Sequence, residues 1–166
     1  MLILLEGAVL CLVFTALIVP FTLKNPTASI GDYPPAIRKR CAELGIFPAR
    51  SRRFTKKDLL RKGAAALIFA LIAAVVLRQL NGAEGFWEGF RDSYLIWLIV
   101  DWYDALVLDC LWFCHCKAVR TPGTEEMAEY RDYRFHLRQS CIGMLLGLPV
   151  CAAVGALVAL LEIILP

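Results

Sequence analysis

The sequence predicts an all-α integral membrane protein, a bundle of four transmembrane helices with one or two short cytoplasmic helical segments. Three observations predict it. Of 166 residues, 59% are hydrophobic and 20% charged, against the roughly 45–50% apolar share of soluble domains. Four segments reach or approach the roughly 20 apolar residues that a helix needs to cross about 30 Å of hydrocarbon. All the cationic residues except Arg78 lie between these segments, not within them. The same composition excludes disorder, a collagen-like chain and a small disulfide-stapled fold, since apolar content is high and only seven cysteines are spread along the chain. A single polytopic domain over residues 1–166 is expected.

Taken in order, residues 2–23 form the first span. Glu6, the length, the absent basic leader and the absent small-residue cleavage pattern before Lys24 separate it from a signal peptide, so it reads as a retained anchor. The loop 24–62 holds eleven of the eighteen Lys and Arg, including Arg38, Lys39, Arg40, Arg50, Arg52, Arg53, Lys56 and Lys57. The positive-inside rule keeps it in the cytoplasm. Within it, Tyr33-Pro34-Pro35 opens a short helix through Cys41 and Leu44 that Gly45 stops. In one reading Ile37, Cys41 and Leu44 lie on lipid, with Arg38, Lys39 and Arg40 among anionic headgroups; in the other the segment is a solvated basic loop that obeys the topology rule. Thr55-Lys56-Lys57-Asp58 spells a capping box, from which the second helix enters the membrane to span 63–80.

The connection Asn81–Asp92 has one base, Arg91, against Glu84, Glu88 and Asp92, and is placed outside. Phe86, Trp87 and Phe90 beside Gly82, Gly85 and Gly89 read as an outer aromatic belt on a flexible turn. The third span covers 93–116. The loop-helix 117–138, with five basic residues, is cytoplasmic. There Thr121-Pro122-Gly123-Thr124 forms a turn, and the last helix is expected to start at Thr124 with Glu125 and Glu126 on its positive end. It spans 139–164 and kinks near Pro149. Both termini then lie outside a cell membrane, and every cysteine lies in a span or on the cytoplasmic side, as reduced thiols should.

The third span carries the chemistry. Asp101, Asp104, Asp109 and His115 fall within an arc of roughly 140° on an α-helix turning about 100° per residue. An Asp at a helix centre costs about 2.5–3.5 kcal/mol to insert, so three facing lipid would cost on the order of 7–10 kcal/mol. They must face protein or water. The only cation inside another span is Arg78, near the outer end of the second, within reach of Asp101; Glu6 is the other outer-side candidate. No basic partner for Asp104 and Asp109 is visible in the sequence. Such acids hold protons, bind a cation, or meet a positive group from another molecule; in the purely structural reading they are protonated and hydrogen-bonded to Tyr103, Trp102 or backbone carbonyls.

At the cytoplasmic mouth, Arg131, Arg134 and Arg138 recur at helical spacing beside His136, a pattern suited to lipid phosphates and equally to ion pairs along a solvated helix. Cys114, His115 and Cys116 are consecutive and diverge around a helix, so no metal site and no cofactor is assigned. In the last span, small residues recur at Gly143, Gly147, Cys151 and Gly155, allowing close helix approach, either within the chain or in a homo-oligomer. The leading functional expectation is a small transport or channel component that passes protons or cations along the aspartate stripe. The alternatives are an assembly or regulatory subunit that pairs with a basic helix of a partner membrane protein and, last, a lipid-modifying enzyme with Arg131, Arg134, Arg138, His136, Glu129, Asp132 and Asp109 in its polar floor. No nucleophile motif supports catalysis, and no catalytic residue is assigned. The basic loop follows from topology and its aromatics are sparse, so no nucleic-acid partner is expected.

Overall fold

The computed structural model describes residues 2–46 and 55–164. Arg50, Arg52 and Arg53 of the basic loop lie outside the described residues. Among those described, the chain is helical and contains no strand. The long elements are α1 (Leu2–Lys24), α2 (Pro35–Glu43), α3 (Lys56–Leu80), α4 (Gly85–Tyr103) and α5 (Tyr133–Ile164). Short 3₁₀ turns cover Pro26–Asp32, Lys117–Val119 and Ala128–Arg131, and α4 runs on without interruption into a π-helical segment, Asp104–Phe113. Three helices, α1, α3 and α5, are long and apolar enough to cross a membrane. The fourth run is less apolar, because α4 begins with Glu88, Arg91 and Asp92 already inside the helix. Leu4, Leu12, Leu60 and Ile163 stand exposed along the three apolar helices.

The chain groups into two compact units, one from residues 2–8, 55–101 and 142–164, the other from 9–46 and 102–141. In the first unit, Ala70, Ala74 and Leu77 of α3 pack with Ala83 and with Val154 and Val158 of α5. Thr55 caps α3 as the sequence predicts: its hydroxyl accepts from the Asp58 N–H (3.2 Å), while the Asp58 carboxylate accepts from the Thr55 N–H (3.1 Å). The α4–α5 contact is very close. A Cβ on Gly89 would stand 2.8 Å from Val158, and one on Gly155 would stand 2.6 Å from the Phe86 carbonyl oxygen. The aromatics expected on a flexible turn instead lie on the first turns of α4, where Phe86, Phe90 and Tyr94 stack in succession. The helix starts early because its first N–H, on Gly85, donates to the Glu162 carboxylate at 2.7 Å; Asn81 to Glu84 alone remain as the connection.

In the second unit, Ile30, Tyr33, Ile37, Cys41, Phe113, Cys114, Val119 and Tyr130 form one core. Ile37 and Cys41 are fully buried in it, which corrects their expected place on lipid. The reason is Tyr33, whose hydroxyl lies 3.1 Å from the carbonyls of both Pro26 and Val119 and so ties the start of α2 inward. Burial raises the Tyr33 hydroxyl well above the ordinary tyrosine range, with Tyr130 adding to the shift. The neutral form is therefore favoured in the folded state, so its stabilisation is complete below the unfolded value of about 10 and is lost as pH rises beyond it. A thermal melt of the detergent-solubilised chain is expected to hold its midpoint up to about pH 10 and fall above, with Tyr33→Phe flattening that fall.

The last helix does not begin at Thr124. That hydroxyl is already committed: it donates to the Thr121 carbonyl (2.7 Å) and meets the Tyr130 hydroxyl (2.8 Å), which in turn accepts from the Thr121 N–H (3.0 Å). Asp132 caps α5 instead, accepting from the Phe135 N–H at 3.0 Å. Replacing Tyr130 by Phe would strand the buried Thr121 N–H, and a loss of about 1–3 kcal/mol in the unfolding free energy of the solubilised chain is expected. Gly123 serves the turn at φ +81°, and a Cβ there would collide with Leu44.

Candidate functional site

The π-helical segment governs the site. In a π-helix each carbonyl bonds five residues on instead of four, as the Cys114 N–H does to the Asp109 carbonyl at 3.0 Å. Residues five apart then stack on one face, and Asp104 and Asp109 are five apart. An arc drawn with α-helical geometry from Asp101 to His115 therefore does not describe the chain beyond Tyr103.

Both carboxylates line a cavity of about 580 Å³ that lies wholly within the second unit. The π segment supplies Asp104, Leu108, Asp109, Trp112 and Phe113; α1 supplies Ile18, Phe21 and Thr22; the 3₁₀ turn and α2 supply Ser29, Gly31, Asp32, Tyr33 and Arg38; α5 supplies Phe135, His136 and Gln139. The lining mixes apolar and aromatic side chains with polar and charged ones.

The central contact is between His136 Nδ1 and Asp109 Oδ2, 2.9 Å apart. The histidine is 4% exposed, and its ring is clamped edge-on by Phe113 (5.6 Å) and Phe135 (5.3 Å). Because Nδ1–H donates to the carboxylate, the tautomer is fixed, and Nε2 is the atom left for further chemistry. Nε2 is buried with no hydrogen-bond partner, and so is Nε of Arg38 on the same cavity wall, although another nitrogen of Arg38, Nη1, donates to the Gly31 carbonyl at 3.3 Å. Asp109 keeps contact with solvent, its side chain being 33% exposed.

Comparison with family models, with curated proteins and with solved structures returns no match. The site is therefore read from its own residues.

Of the residues singled out in the sequence, the cavity brings together Asp104, Asp109 and His136. The expectation that Asp109 has no basic partner in the chain is corrected: His136, 27 positions later on the first turn of α5, is that partner. Asp101 belongs to the first unit and lies against Gly143 of α5. His115 is exposed and its Nε2 meets the Tyr133 hydroxyl at 3.0 Å. Arg78 sits 3.9 Å from Glu84, and Glu6 accepts from the Asn81 amide at 2.9 Å, so the outer-side pair are engaged with other residues. Arg131, Arg134 and Arg138 are exposed and do not line the cavity. The small-residue stripe lies on α4: Gly143 accepts from the Trp97 indole N–H at 3.1 Å, Gly147 faces Trp97, and Gly155 meets Phe86 and Phe90. Among the described residues, no three His, Cys, Asp or Glu side chains gather where a metal ion could sit.

Sequence reading missed Arg38, Asp32 and Gln139 as members of the cavity. Arg38 was hidden among eleven cations of one loop, where its neighbours account equally well for charge. The available signal was the Tyr33-Pro34-Pro35 opening, which fixes the helix phase and puts Ile37 and Cys41 on one face of α2.

Proposed function

We propose that this chain is a small multi-pass protein of the cell membrane that moves protons, or a cation exchanged against protons, through the cavity that holds Asp104, Asp109 and His136. In this reading four helical runs cross the bilayer: α1, α3, the run Gly85–Phe113, and α5. The basic segments 24–62 and 117–138 lie in the cytoplasm and both termini outside. The observation that carries the reading is the 2.9 Å Asp109–His136 contact in a cavity of about 580 Å³. Intramembrane acids and histidines are expensive to bury and mark ion or proton paths, and histidine alone among side chains exchanges its proton readily near neutral pH.

The chemistry follows from the two ring nitrogens. With Nδ1–H held by Asp109, a proton arriving from the cavity binds Nε2, and the Asp109 carboxylate balances the imidazolium that results. Departure of that proton restores the neutral ring without moving a heavy atom. Asp104, on the same face of the π-helix, is the next acid in the cavity. Assembly with a basic partner helix becomes less economical, because Asp109 is balanced from within the chain.

The test is flux. Full-length protein reconstituted in liposomes with an internal pH-sensitive dye should dissipate an imposed pH gradient faster than empty liposomes, and Asp109→Asn should slow it. Folded, correctly inserted protein that carries no flux above that of empty liposomes overturns the proposal.

A further inference from the structure

We infer that the exposed N-terminal turns of α3 form a docking surface for an anionic phospholipid, with the headgroup phosphate held between Lys57 and Arg61 and with Lys56 beside them. The inference rests on the reading that α3 crosses the bilayer, and adds the class of lipid that meets its point of entry.

The charge of this stretch is one-sided. Lys56, Lys57, Arg61 and Lys62 fall within seven residues, and Asp58 is the only acid between Glu43 and Glu84. Asp58 is already occupied: its carboxylate accepts from the backbone N–H and the hydroxyl of Thr55 (3.1 and 2.7 Å) and attracts Lys62, four residues on. Lys57 and Arg61 are likewise four residues apart, about 40° around the helix axis from each other, on the other side. Both are exposed. Like charges at this spacing repel. Lys56 and Lys57 also stand on the first turn of α3, where the helix dipole is itself positive. An anion between Lys57 and Arg61 relieves both repulsions.

The surface is open and stands at the depth of lipid phosphates. Every residue from Leu59 to Phe69 is exposed, and the helix runs unbroken from the cations into the apolar stretch after Gly63. At about 1.5 Å per residue, Arg61 lies roughly 3 Å and Lys57 roughly 9 Å before Gly63. The headgroup layer is about 5–7 Å deep on each side of the hydrocarbon, and long basic side chains reach along it. The exposed Leu59 and Leu60 offer apolar surface to the upper part of an acyl chain. Clusters of Lys and Arg directly before a span attract anionic lipids by this complementarity.

The experiment is native mass spectrometry of the full-length chain released from micelles that contain equal amounts of phosphatidylglycerol and phosphatidylcholine, which counts the lipids of each class retained per chain. The first retained lipid is expected to be phosphatidylglycerol by about fivefold. Lys57→Gln/Arg61→Gln should lower that preference to about twofold or less without lowering the thermal midpoint, and Lys57→Arg should keep it. Lys39→Gln/Arg40→Gln removes the same charge from α2 and should leave the preference in place. Should the Lys57/Arg61 double variant fail to fold, Lys57→Gln alone decides. Equal retention of the two lipids, a preference that survives in the folded variant, or an equal loss on Lys39→Gln/Arg40→Gln would overturn the inference. So would an added oligo-aspartate peptide or oligonucleotide retained in place of phosphatidylglycerol, since the occupant would then be an acidic macromolecule. A chain that alkaline carbonate strips from vesicles retires the spanning reading together with this inference. A chain that resists carbonate and shows no lipid preference retires this inference alone.

Discussion

His136→Gln is expected to abolish most of the proton flux of the reconstituted protein, at least about tenfold, while leaving the fold in place. The amide of Gln can still donate to Asp109, so the carboxylate is not stranded, but it cannot accept and release a proton. His136→Ala should lose flux to the same extent and also lose stability. Its truncation leaves Asp109 without a donor and opens a void between Phe113 and Phe135. Because Asp109 retains contact with solvent, 33% of its side chain being exposed, that destabilisation should stay near about 1–3 kcal/mol, below the 3–5 kcal/mol expected for a fully buried pair. Flux and thermal midpoint measured side by side separate the two effects. If His136→Gln moves protons at the rate of the unaltered chain, the dyad is structural and the proposed mechanism fails.

The second large effect is expected in the first unit. Gly155→Ala should destabilise the chain by about 1–3 kcal/mol, and Gly155→Leu by more. A Cβ at this position stands 2.6 Å from the Phe86 carbonyl oxygen and 3.0 Å from the Phe90 nitrogen. Both are backbone atoms, so no rotamer change relieves the clash and α4 must part from α5. Gly147→Ala meets a side chain instead, Trp97 Nε1 at 2.5 Å. The indole can swing aside at the expense of its 3.1 Å hydrogen bond to the Gly143 carbonyl, a loss of about 1 kcal/mol. Gly63, inside α3 with nothing within 4 Å of its missing Cβ, should gain about 0.5–1 kcal/mol on conversion to Ala. Thermal unfolding in micelles should rank the variants Gly63→Ala, Gly147→Ala, Gly155→Ala in falling stability. An unchanged midpoint for Gly155→Ala would mean that the two helices are not in backbone contact in the folded chain.

Much of the helical architecture was legible because its causes are local. The Thr55–Asp58 capping box, the Pro35 opening of α2 and its stop at Gly45 depend on residues within one turn of each other, and the sequence displays them directly. The starts of α4 and α5 were misread because distant groups decided them. Glu162 satisfies the first N–H of α4 from 77 positions away. Tyr130 occupies the Thr124 hydroxyl and so leaves the capping role to Asp132.

The candidate site was legible in part. Asp104, Asp109 and His136 stand out in any reading of the chain, since acids and histidines are scarce in apolar sequence. Their mutual arrangement was not, because it depends on the π-helical register after Tyr103, which the composition of that stretch does not announce. An α-helical wheel separates residues five apart, whereas π geometry stacks them.

By itself, then, the sequence determined the helical class and the apolar runs long enough to cross a membrane. Those follow from hydropathy and helix periodicity, both properties of short stretches of chain. Only the tertiary structure decided which group meets one of the acids: Asp109 is met by a histidine 27 residues away, in a cavity shared with Asp104 and with Arg38 of the basic loop. Contacts between residues far apart in sequence depend on how helices pack, and packing is a property of the whole set of side chains at once.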